Sequence, residues 1–340
     1  MAQDIPICIN GTFGDDSLFG WLAERFPVRR VPVAEMAEAD YFIGGDFGYS
    51  YEAFHGVRIF TTGENHAADL NHFDYCLTHE LIEDDRRHRL PFWQASYLVN
   101  PCFREILEHQ PEPIAPDALA AEKRDFCAFI CRNSVCRKRN RFVRHLNEIR
   151  KVDCAGPFMN NVGFLLPKGA AHKFEYQRRH LFSMAYENEA TRGYQTEKIV
   201  DALVSRSIPL YWGNPCVEEE FNPECFVHAR NFPSEKALIR HVLELAEDPV
   251  RMAAIINAPR FRDPLVMQKA EQALVDFFAR IFERGPGAIR RSRYQRMQAV
   301  LSHFYGHGLS RTIRRVSRHL RGKGGDQGLG NLVSKGRKKD

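Results

Sequence analysis

The stretch YENEATRGYQTEKIVDALVSRSIPLYWG, residues 186–213, decides the fold because it predicts a loop, a helix and a buried strand in immediate succession. Thr196 ends the polar loop and is expected to cap the helix. Residues 208–212 are apolar and aromatic and precede a glycine, as is typical of a buried strand. The predicted helix has three apolar residues on one face, at the i, i+3, i+4 spacing: Ile199, Ala202 and Leu203.

The start of this helix is suited to an anion. Glu197 and Lys198 fall in its first turn. A helix N-terminus presents free backbone N–H groups and about half a positive charge, which together attract phosphate groups. Lys198 adds a full positive charge at the same place. The pattern by itself predicts an anion-binding site and nothing more specific.

Four motifs follow one another between residues 182 and 227: Phe-x-x-x-x-Glu-Asn, Gly-Tyr-x-Thr-Glu-Lys, Ile-Pro-x-Tyr-Trp-Gly and Phe-Asn-Pro-x-x-Phe-Val. Their order resembles the donor-binding block of the α1,3/1,4-fucosyltransferases. The resemblance extends upstream to Thr-Gly-Glu-Asn at 62–65, to Phe-Asp-Tyr at 73–75 and to residues 126–146. It covers residues 55–235, and Tyr186 is a modest departure because many members have phenylalanine there.

The resemblance implies the GT-B fold, in which two Rossmann-like α/β domains face a cleft. It also implies an inverting α1,3-fucosyltransferase that moves L-fucose from GDP-β-L-fucose to a glycan containing N-acetylglucosamine or glucose. The expected setting is the synthesis of surface glycans such as lipopolysaccharide or Lewis antigens. No metal or other cofactor is expected, since arginine and lysine at a helix terminus replace the cation on the diphosphate. The expected partners are GDP-fucose and an oligosaccharide acceptor.

Glu64 is the candidate general base. It follows the predicted strand 58–61 and Gly63, at the end of a strand where α/β proteins bind ligands. A carboxylate there can accept a proton if burial raises its pKa. The residues alone leave open that Glu64 caps a helix or hydrogen-bonds the acceptor, whereas the resemblance favours the base. The resemblance also implies that Asn65 and Asp74 lie on the acceptor side, although a surface turn is an alternative for Asp74.

The resemblance assigns the donor to residues of the second half of the chain. Positioned cations stabilise the charge that develops on a departing diphosphate. From the residues alone, one of the clustered cations at 137–141 could equally be a solvated helix start. Arg192 is a further cation beside Gly193, with an open role at the diphosphate or the guanine. The predicted donor-binding residues are Arg139, Glu187, Asn188, Arg192, Tyr194, Glu197 and Lys198.

Composition bounds the class of protein. The 340 residues are 44% hydrophobic, which is enough for a sizeable core and two domains. Neither a secretory signal nor a membrane-spanning segment is expected from the sequence. The nine cysteines show no zinc-pair spacing and are expected to be free thiols in a reducing cytoplasm.

The charge is unevenly distributed. Residues 284–340 hold 15 lysines and arginines against two aspartates, a net charge of +13, so the other residues carry −8 of the total +5. An apolar stripe among these cations predicts basic amphipathic helices that bind an anionic membrane surface. The protein is therefore expected to be cytoplasmic and peripheral at the inner face of the membrane.

The order of elements predicts two α/β domains. Short apolar strands are predicted at residues 5–9, 41–43, 58–61 and 75–77, with mixed or helical stretches such as 17–26 between them. A proline-rich segment between residues 109 and 117 predicts a linker. The predicted domains are residues 1–117 on the acceptor side, 118–284 for GDP-fucose and 285–340 as the tail.

Two alternatives stay open at the level of sequence. One is a GT-B glycosyltransferase that uses a different nucleotide sugar. The other, from a different class, is a nucleic-acid-binding protein that acts through its basic tail. The tail lacks a zinc-finger or RNA-binding aromatic signature, so no nucleic acid is expected.

Overall fold

The computed structural model describes residues 4–46, 54–109, 111–287 and 289–291. Residues up to 69 and from 73 to 289 form one compact unit, built on two parallel β-sheets. The second unit, residues 70–72 with 290–340, is mostly outside the described residues. The basic tail predicted for residues 285–340 falls largely there, so its helices and its membrane binding stay predictions.

The N-terminal lobe is built on a six-stranded sheet with the order β2-β1-β3-β4-β5-β6, all strands parallel. The strands are β1 Ile5–Asn10, β2 Val28–Arg30, β3 Tyr41–Gly44, β4 Val57–Thr61, β5 Tyr75–Thr78 and β6 Arg87–Arg89. The four strands predicted in this lobe are confirmed to within one residue. Strands β3, β4 and β5 are buried at every position, which explains their unbroken apolar runs.

Helices cover this sheet and connect it to the second half of the chain. They are α1 Asp15–Ala23, α2 Phe92–Leu98 and α3 Pro101–Glu108. Residues 111–118 form neither helix nor strand, and the backbone of Ile114 exchanges two 2.9 Å hydrogen bonds with the side chain of Asn257.

The C-terminal lobe is built on a five-stranded parallel sheet with the order β11-β10-β9-β7-β8. The strands are β7 Asp125–Phe129, β8 Val152–Cys154, β9 His180–Tyr186, β10 Ile208–Trp212 and β11 Val227–His228. From β7 the chain first adds β8 on one side and then β9, β10 and β11 on the other, so the strand order switches between β7 and β9. Open α/β sheets bind ligands at such a switch point, beyond the carboxyl ends of the strands.

The second half of the chain contributes seven helices in the described ranges: α4 Leu119–Glu122, α5 Arg137–Ile149, α6 Ala170–Arg178, α7 Glu197–Val204, α8 Glu235–Leu245, α9 Pro249–Asn257 and α10 Val266–Glu283. Ser234 caps α8, since its hydroxyl accepts the N–H of Ala237 at 3.1 Å. Residues 173–186 contain most of α6 followed by strand β9.

Helix α10 comes last in the described chain but packs with the N-terminal lobe. Phe282 lies edge-on to Tyr41 with ring centroids 5.0 Å apart, and Phe277 lies edge-on to Tyr75 at 6.1 Å. Both tyrosines belong to the first sheet. The sequence prediction placed this segment in the second domain because it follows that domain along the chain. The contiguous domain limits at 117 and 284 stay a prediction.

The described residues contain no helix that is long and apolar enough to cross a bilayer. Eight of the nine cysteines have described side chains, and all eight are free thiols.

Candidate active site

The N-terminus of α7 is held by a buried carboxylate. Thr196 is the N-cap residue, but its side chain accepts no helix N–H, which corrects the predicted cap. Instead its backbone N–H and its hydroxyl donate to Glu187 at 2.7 and 2.8 Å. The ammonium of Lys198 donates to the same carboxylate at 3.0 Å. A Cβ at Gly213 would lie 2.5 Å from Cγ of Glu187, so this position needs glycine.

Glu187 is fully buried, and its carboxylate is satisfied by the protein. Glu187, a predicted donor-binding residue, therefore contacts other protein groups and can affect a donor only through them. It fixes the turn that enters α7 and orients the ammonium of Lys198, which also donates to Thr196 Oγ1 at 2.7 Å. Burial alone would lower the pKa of Lys198, but the carboxylates of Glu187 and Glu197 raise it above its usual range. Lys198 is therefore charged at neutral pH.

Arg139 lies in the first turn of α5, the helix that follows β7, and so stands near the carboxyl end of β7 at the switch point between β7 and β9. Its guanidinium donates to Asn188 Oδ1 at 2.8 Å and to the carbonyls of Asn133 and Tyr186 at 3.0 and 3.4 Å. The side chain is buried, and its Nε has no hydrogen-bond partner among the described residues. Arg139 and Lys198 line the same cavity of about 20 Å³. The two cations predicted to act together are thus brought together.

Two acidic residues of α7 share a lysine from α6. The ammonium of Lys173 contacts Asp201 and lies 3.5 Å from Glu197 Oε1. Burial alone would raise the pKa of Glu197, but Lys198 and Lys173 outweigh it and lower the pKa to about 2. Asp201 also accepts the hydroxyl of Tyr97, from α2, at 3.0 Å. The cluster keeps Glu197 ionised and joins the two lobes.

A larger cavity of about 510 Å³ opens beside the small one. The two share Ile130, Cys131 and Lys173, so they adjoin. Its walls come from α2 and α3 on one side and from residues 155–157 and 166–170 on the other. Glu197 lines it, and its contact with the donor stays a prediction. The volume is in the range of ordinary small-molecule sites, about 300–1,000 Å³.

Glu64 stands in a loop that is fixed by polar contacts. Its backbone N–H donates to Thr62 Oγ1 at 2.9 Å, and the Thr62 hydroxyl donates to Asp46. His66 pairs with the other oxygen of Asp46 at 2.7 Å. The carboxylate of Glu64 is exposed, and among the described residues it has no hydrogen-bond or ion-pair partner. It is therefore free to receive a proton.

Asn65 joins the two lobes across the cleft. Its side-chain amide donates to Glu189 Oε2 at 2.5 Å and to Thr191 Oγ1 at 2.8 Å, both in the loop before α7. The same loop approaches the N-terminal lobe at Gly193, where a Cβ would lie 2.3 Å from the carbonyl oxygen of His79. Glu64 is therefore close to this loop, residues 188–196, which we refer to as the donor loop.

Three predicted site residues remain: Asp74, Tyr194 and Arg192. Asp74 is fully buried before β5 and accepts the backbone N–H of Arg58 at 2.8 Å. It lies at the amino end of β5, away from the carboxyl edge where Glu64 stands, and its acceptor-side role stays a prediction. Tyr194 is buried, packs edge-on against His79 with centroids 5.2 Å apart, and lines neither donor cavity. Arg192 also lines neither cavity, so its assignment to the donor stays a prediction.

Sequence reasoning missed Lys173 and Asp46. Lys173 comes from a helix that shows no motif, and only the packing of α6 on α7 brings it to Glu197. Asp46 follows β3, and its position after a buried strand was a usable signal.

One group in the described chain has the arrangement of metal ligands: Asp125, Asp153 and His180. It lies at the opposite end of the sheet from Arg139, since Asp125 and His180 begin β7 and β9. Both carboxylates already have cationic partners, Arg179 at 3.0 Å and Lys151 at 2.6 Å. This group is therefore not part of the candidate site.

Comparison with known proteins matches two family models. Residues 119–257 match the C-terminal model of glycosyltransferase family 10 (fucosyltransferase). Residues 15–97 match the N-terminal domain model of the α-(1,3)-fucosyltransferase FucT. Together the models cover both lobes and include Glu64, Arg139 and Lys198.

The chain is similar to two curated proteins in particular. It is 30% identical over 218 residues to the α-(1,3)-fucosyltransferase FucT of Helicobacter pylori, covering 54% of this chain and 43% of that protein. It is 25% identical over 237 residues to the putative fucosyltransferase R654 of Acanthamoeba polyphaga mimivirus, covering 66% and 37%. The chain thus matches less than half the length of these relatives.

A solved structure of an α1,3-fucosyltransferase with GDP-fucose superposes with a TM-score of 0.66 at 22% identity, covering 86% of this chain and 94% of the other. The structure of an α1,3-fucosyltransferase with GDP also gives 0.66, at 22% identity. At this identity the likeness concerns the fold. It confirms the GT-B-like architecture of two α/β lobes that the sequence predicted.

Proposed function

The chain belongs to the fucosyltransferases of glycosyltransferase family 10, and from that premise we propose that it transfers L-fucose from GDP-fucose to a hydroxyl group of a glycan. The observation that carries the proposal is the cavity shared by Arg139 and Lys198 at the switch point of the C-terminal sheet. Two charged side chains that are held in place by hydrogen bonds to the protein form a site suited to a diphosphate.

The donor is proposed to occupy both adjoining cavities. The small cavity of about 20 Å³ holds roughly one water molecule, so a diphosphate must extend into the larger one. The 510 Å³ cavity has room for the remaining parts of a nucleotide sugar. Glu197, ionised at its edge, is suited to accept hydrogen bonds from sugar hydroxyl groups.

The reaction is proposed to be a single inverting displacement with Glu64 as general base. The acceptor oxygen attacks C1 of fucose and gives its proton to the Glu64 carboxylate. The bond between C1 and the β-phosphate oxygen breaks, and its electron pair leaves with GDP. Arg139 and Lys198 stabilise the negative charge that this oxygen gains. Attack opposite to GDP converts the β-linked donor into an α-linked product.

The position of the base is supported by its neighbours. Burial raises the pKa of Tyr194, and the carboxylates of Glu187 and Glu64 raise it further, so Glu64 acts electrostatically on the donor loop. The contacts of Asn65 with the same loop keep the base beside it. A fixed loop with an unpaired carboxylate fits a group that receives a proton in the transition state.

The test of the base is Glu64→Gln, with the exposed Glu35→Gln as matched control. Glu64→Gln is expected to lower kcat by about 10² to 10⁴, the usual contribution of general base catalysis, while GDP still binds. Release of GDP in the presence of an acceptor measures kcat, and calorimetry measures GDP affinity. Near-full transfer by Glu64→Gln would refute the role of Glu64.

The alternative donor is tested separately. Calorimetric titration with GDP, UDP and ADP measures the affinity for each nucleotide. GDP is expected to bind at least tenfold more tightly than UDP or ADP. Equal affinity for the three nucleotides would favour a GT-B glycosyltransferase with another nucleotide sugar.

The remaining features of the proposal concern acceptor and location. The acceptor is proposed to contain N-acetylglucosamine or glucose and to be fucosylated at O3, within a surface glycan such as lipopolysaccharide or a Lewis antigen. Transfer is proposed to need no metal, because Arg139 and Lys198 supply the positive charge. Residues 285–340 are proposed to hold the enzyme on an anionic membrane from the cytoplasmic side. Flotation with anionic liposomes, with and without these residues, tests that association.

A further inference from the structure

A groove of about 530 Å³ lies beside the cleft and is separate from the donor cavities. Its floor is the loop of residues 79–82, which follows β5, so we refer to it as the β5 groove. Asn65, Thr191 and Arg192 form the opposite wall. The carboxyl ends of β4 and β5 meet at this edge of the sheet, which is also where Glu64 lies.

Arg192 is the cation among the described lining residues of the β5 groove, and the carboxylates of Glu64 and Glu189 lie next to its wall at Asn65. Glu80 is the only carboxylate among its described lining residues, and it pairs with Arg87 at 2.7 Å. Burial lowers the pKa of His79 below 6.5, so this ring is neutral at pH 7. Arg192 is exposed and has no hydrogen-bond or ion-pair partner among the described residues. An anion that enters the groove therefore meets a guanidinium that is free to pair with it.

The floor of the groove is apolar. Leu81 and Ile82 are 45% and 50% exposed, which is high for side chains of their size. Sugar rings have apolar C–H faces that pack on such side chains, with hydroxyl groups at their edges. Asn65 provides an amide that already bridges the lobes at this point. The groove therefore suits a sugar that also carries a negative charge.

The groove is close to the reacting centre. Asn65 follows Glu64 in the chain and lines the groove. His79, on the floor, packs edge-on against Tyr194 of the donor loop with centroids 5.2 Å apart. Arg192 projects from that loop but lines neither donor cavity. The β5 groove therefore lies beside the proposed base and outside the donor cavities, where an acceptor subsite is expected.

We propose that the β5 groove binds the part of the acceptor glycan next to the fucosylated sugar, and that Arg192 selects acceptors that carry a carboxylate or a phosphate there. The inference rests on the proposed function and names its substrate class. A planar guanidinium pairs with either anion through two hydrogen bonds, so both sources share this chemistry.

The experiment compares three acceptors with the full chain: N-acetyllactosamine, the same disaccharide with a carboxylate in place of its galactose hydroxymethyl group, and the disaccharide with a phosphate ester at that position. The variants are Arg192→Gln and, as a control of equal charge change, Arg240→Gln on the exposed face of α8. The readouts are kcat/KM for each acceptor and KM for GDP-fucose, at low and high salt.

The wild type is expected to use at least one charged acceptor about five- to tenfold better than the neutral one, as for a charge-assisted hydrogen bond at a partly exposed site. Arg192→Gln should reduce this ratio to about one, and Arg240→Gln should keep it. The preference should also shrink at high salt. Whichever charged acceptor shows the larger ratio identifies the anion.

Equal kcat/KM for all three acceptors in the wild type would overturn the subsite while leaving fucosyl transfer intact. A higher KM for GDP-fucose in Arg192→Gln with every acceptor, with no change in the ratio, would assign Arg192 to the donor instead. Absence of transfer to all three acceptors would refute the proposed function and the subsite together.

Discussion

Replacement of Glu187 by glutamine tests how the diphosphate site is held. The carboxylate is fully buried and accepts three hydrogen bonds, two from Thr196 and one from Lys198. An amide keeps one accepting oxygen and turns an NH₂ group toward a donor, so at least one of the three bonds is lost and the others lose their charge-assisted character.

The magnitude follows from these contacts. Hydrogen bonds to a charged group contribute about 1.5–3 kcal/mol and neutral ones about 0.5–1.5 kcal/mol. Breaking a buried ion pair from one side costs about 3–5 kcal/mol. Because the side chain of Lys198 is 23% exposed and can turn to solvent, we take the lower end, about 3 kcal/mol. With a urea m-value of about 3 kcal/mol/M, the unfolding midpoint should fall by about 1 M.

The assay is urea unfolding followed by circular dichroism, with GDP affinity measured by calorimetry under native conditions. The matched control is Glu219→Gln, the same chemical change at an exposed position. Glu187→Gln should lower both the midpoint and the affinity for GDP, because the Lys198 ammonium loses its orientation. A midpoint and an affinity equal to those of Glu219→Gln would refute the reasoning.

Two further predictions concern buried charge. Lys173→Met should destabilise the protein by about 3–5 kcal/mol and weaken GDP-fucose binding, since it leaves Asp201 buried without its cation; urea unfolding against the exposed Lys236→Met checks this, and equal stability would contradict it. Burial, helped by nearby arginines, lowers the pKa of His88 from 6.5 to about 4, so the unfolded chain binds the proton more tightly and stability should fall as pH drops from about 6.5 to 4. His88→Gln should reduce that loss by about 2–3 kcal/mol in urea titrations at pH 7 and 4.5, whereas the exposed His172→Gln should not.

The regular elements of the donor block could be predicted because local pattern and burial agree there. Residues 208–212 read as a buried strand, and β10 spans Ile208–Trp212 with four of its five residues buried. The helix face predicted from Ile199, Ala202 and Leu203 is the buried face of α7. In these segments the hydrophobic period reports the packing directly.

The short edge elements could not be predicted. Strands β2, β6 and β8 have three residues each, too few for a period of two to be recognised. Helix α9 was also missed, although Asp248 caps it and Pro249 opens it in the usual way.

Site residues could be predicted where a local sequence motif determines their position. They could not be predicted where tertiary packing determines it. Arg139 and Lys198 meet as expected, because each stands at the start of a helix that faces the switch point. Thr196 was expected to cap α7, but the buried carboxylate of Glu187 takes its hydroxyl, which local sequence cannot reveal. Asp74 lies before β5, and Arg192 lines a groove apart from the cavity of Arg139. A motif gives position along the chain but not the edge of the sheet or the wall of the cleft, so local sequence could not place these two side chains.

The central claim is that Arg139 and Lys198 grip a diphosphate at the start of α7, and a crystal structure with GDP tests it most directly. We expect phosphate oxygens about 2.7–3.2 Å from the Arg139 guanidinium and from Nζ of Lys198, with the nucleoside in the larger cavity. GDP bound elsewhere, or a diphosphate more than about 6 Å from both side chains, too far for a direct hydrogen bond, would contradict it.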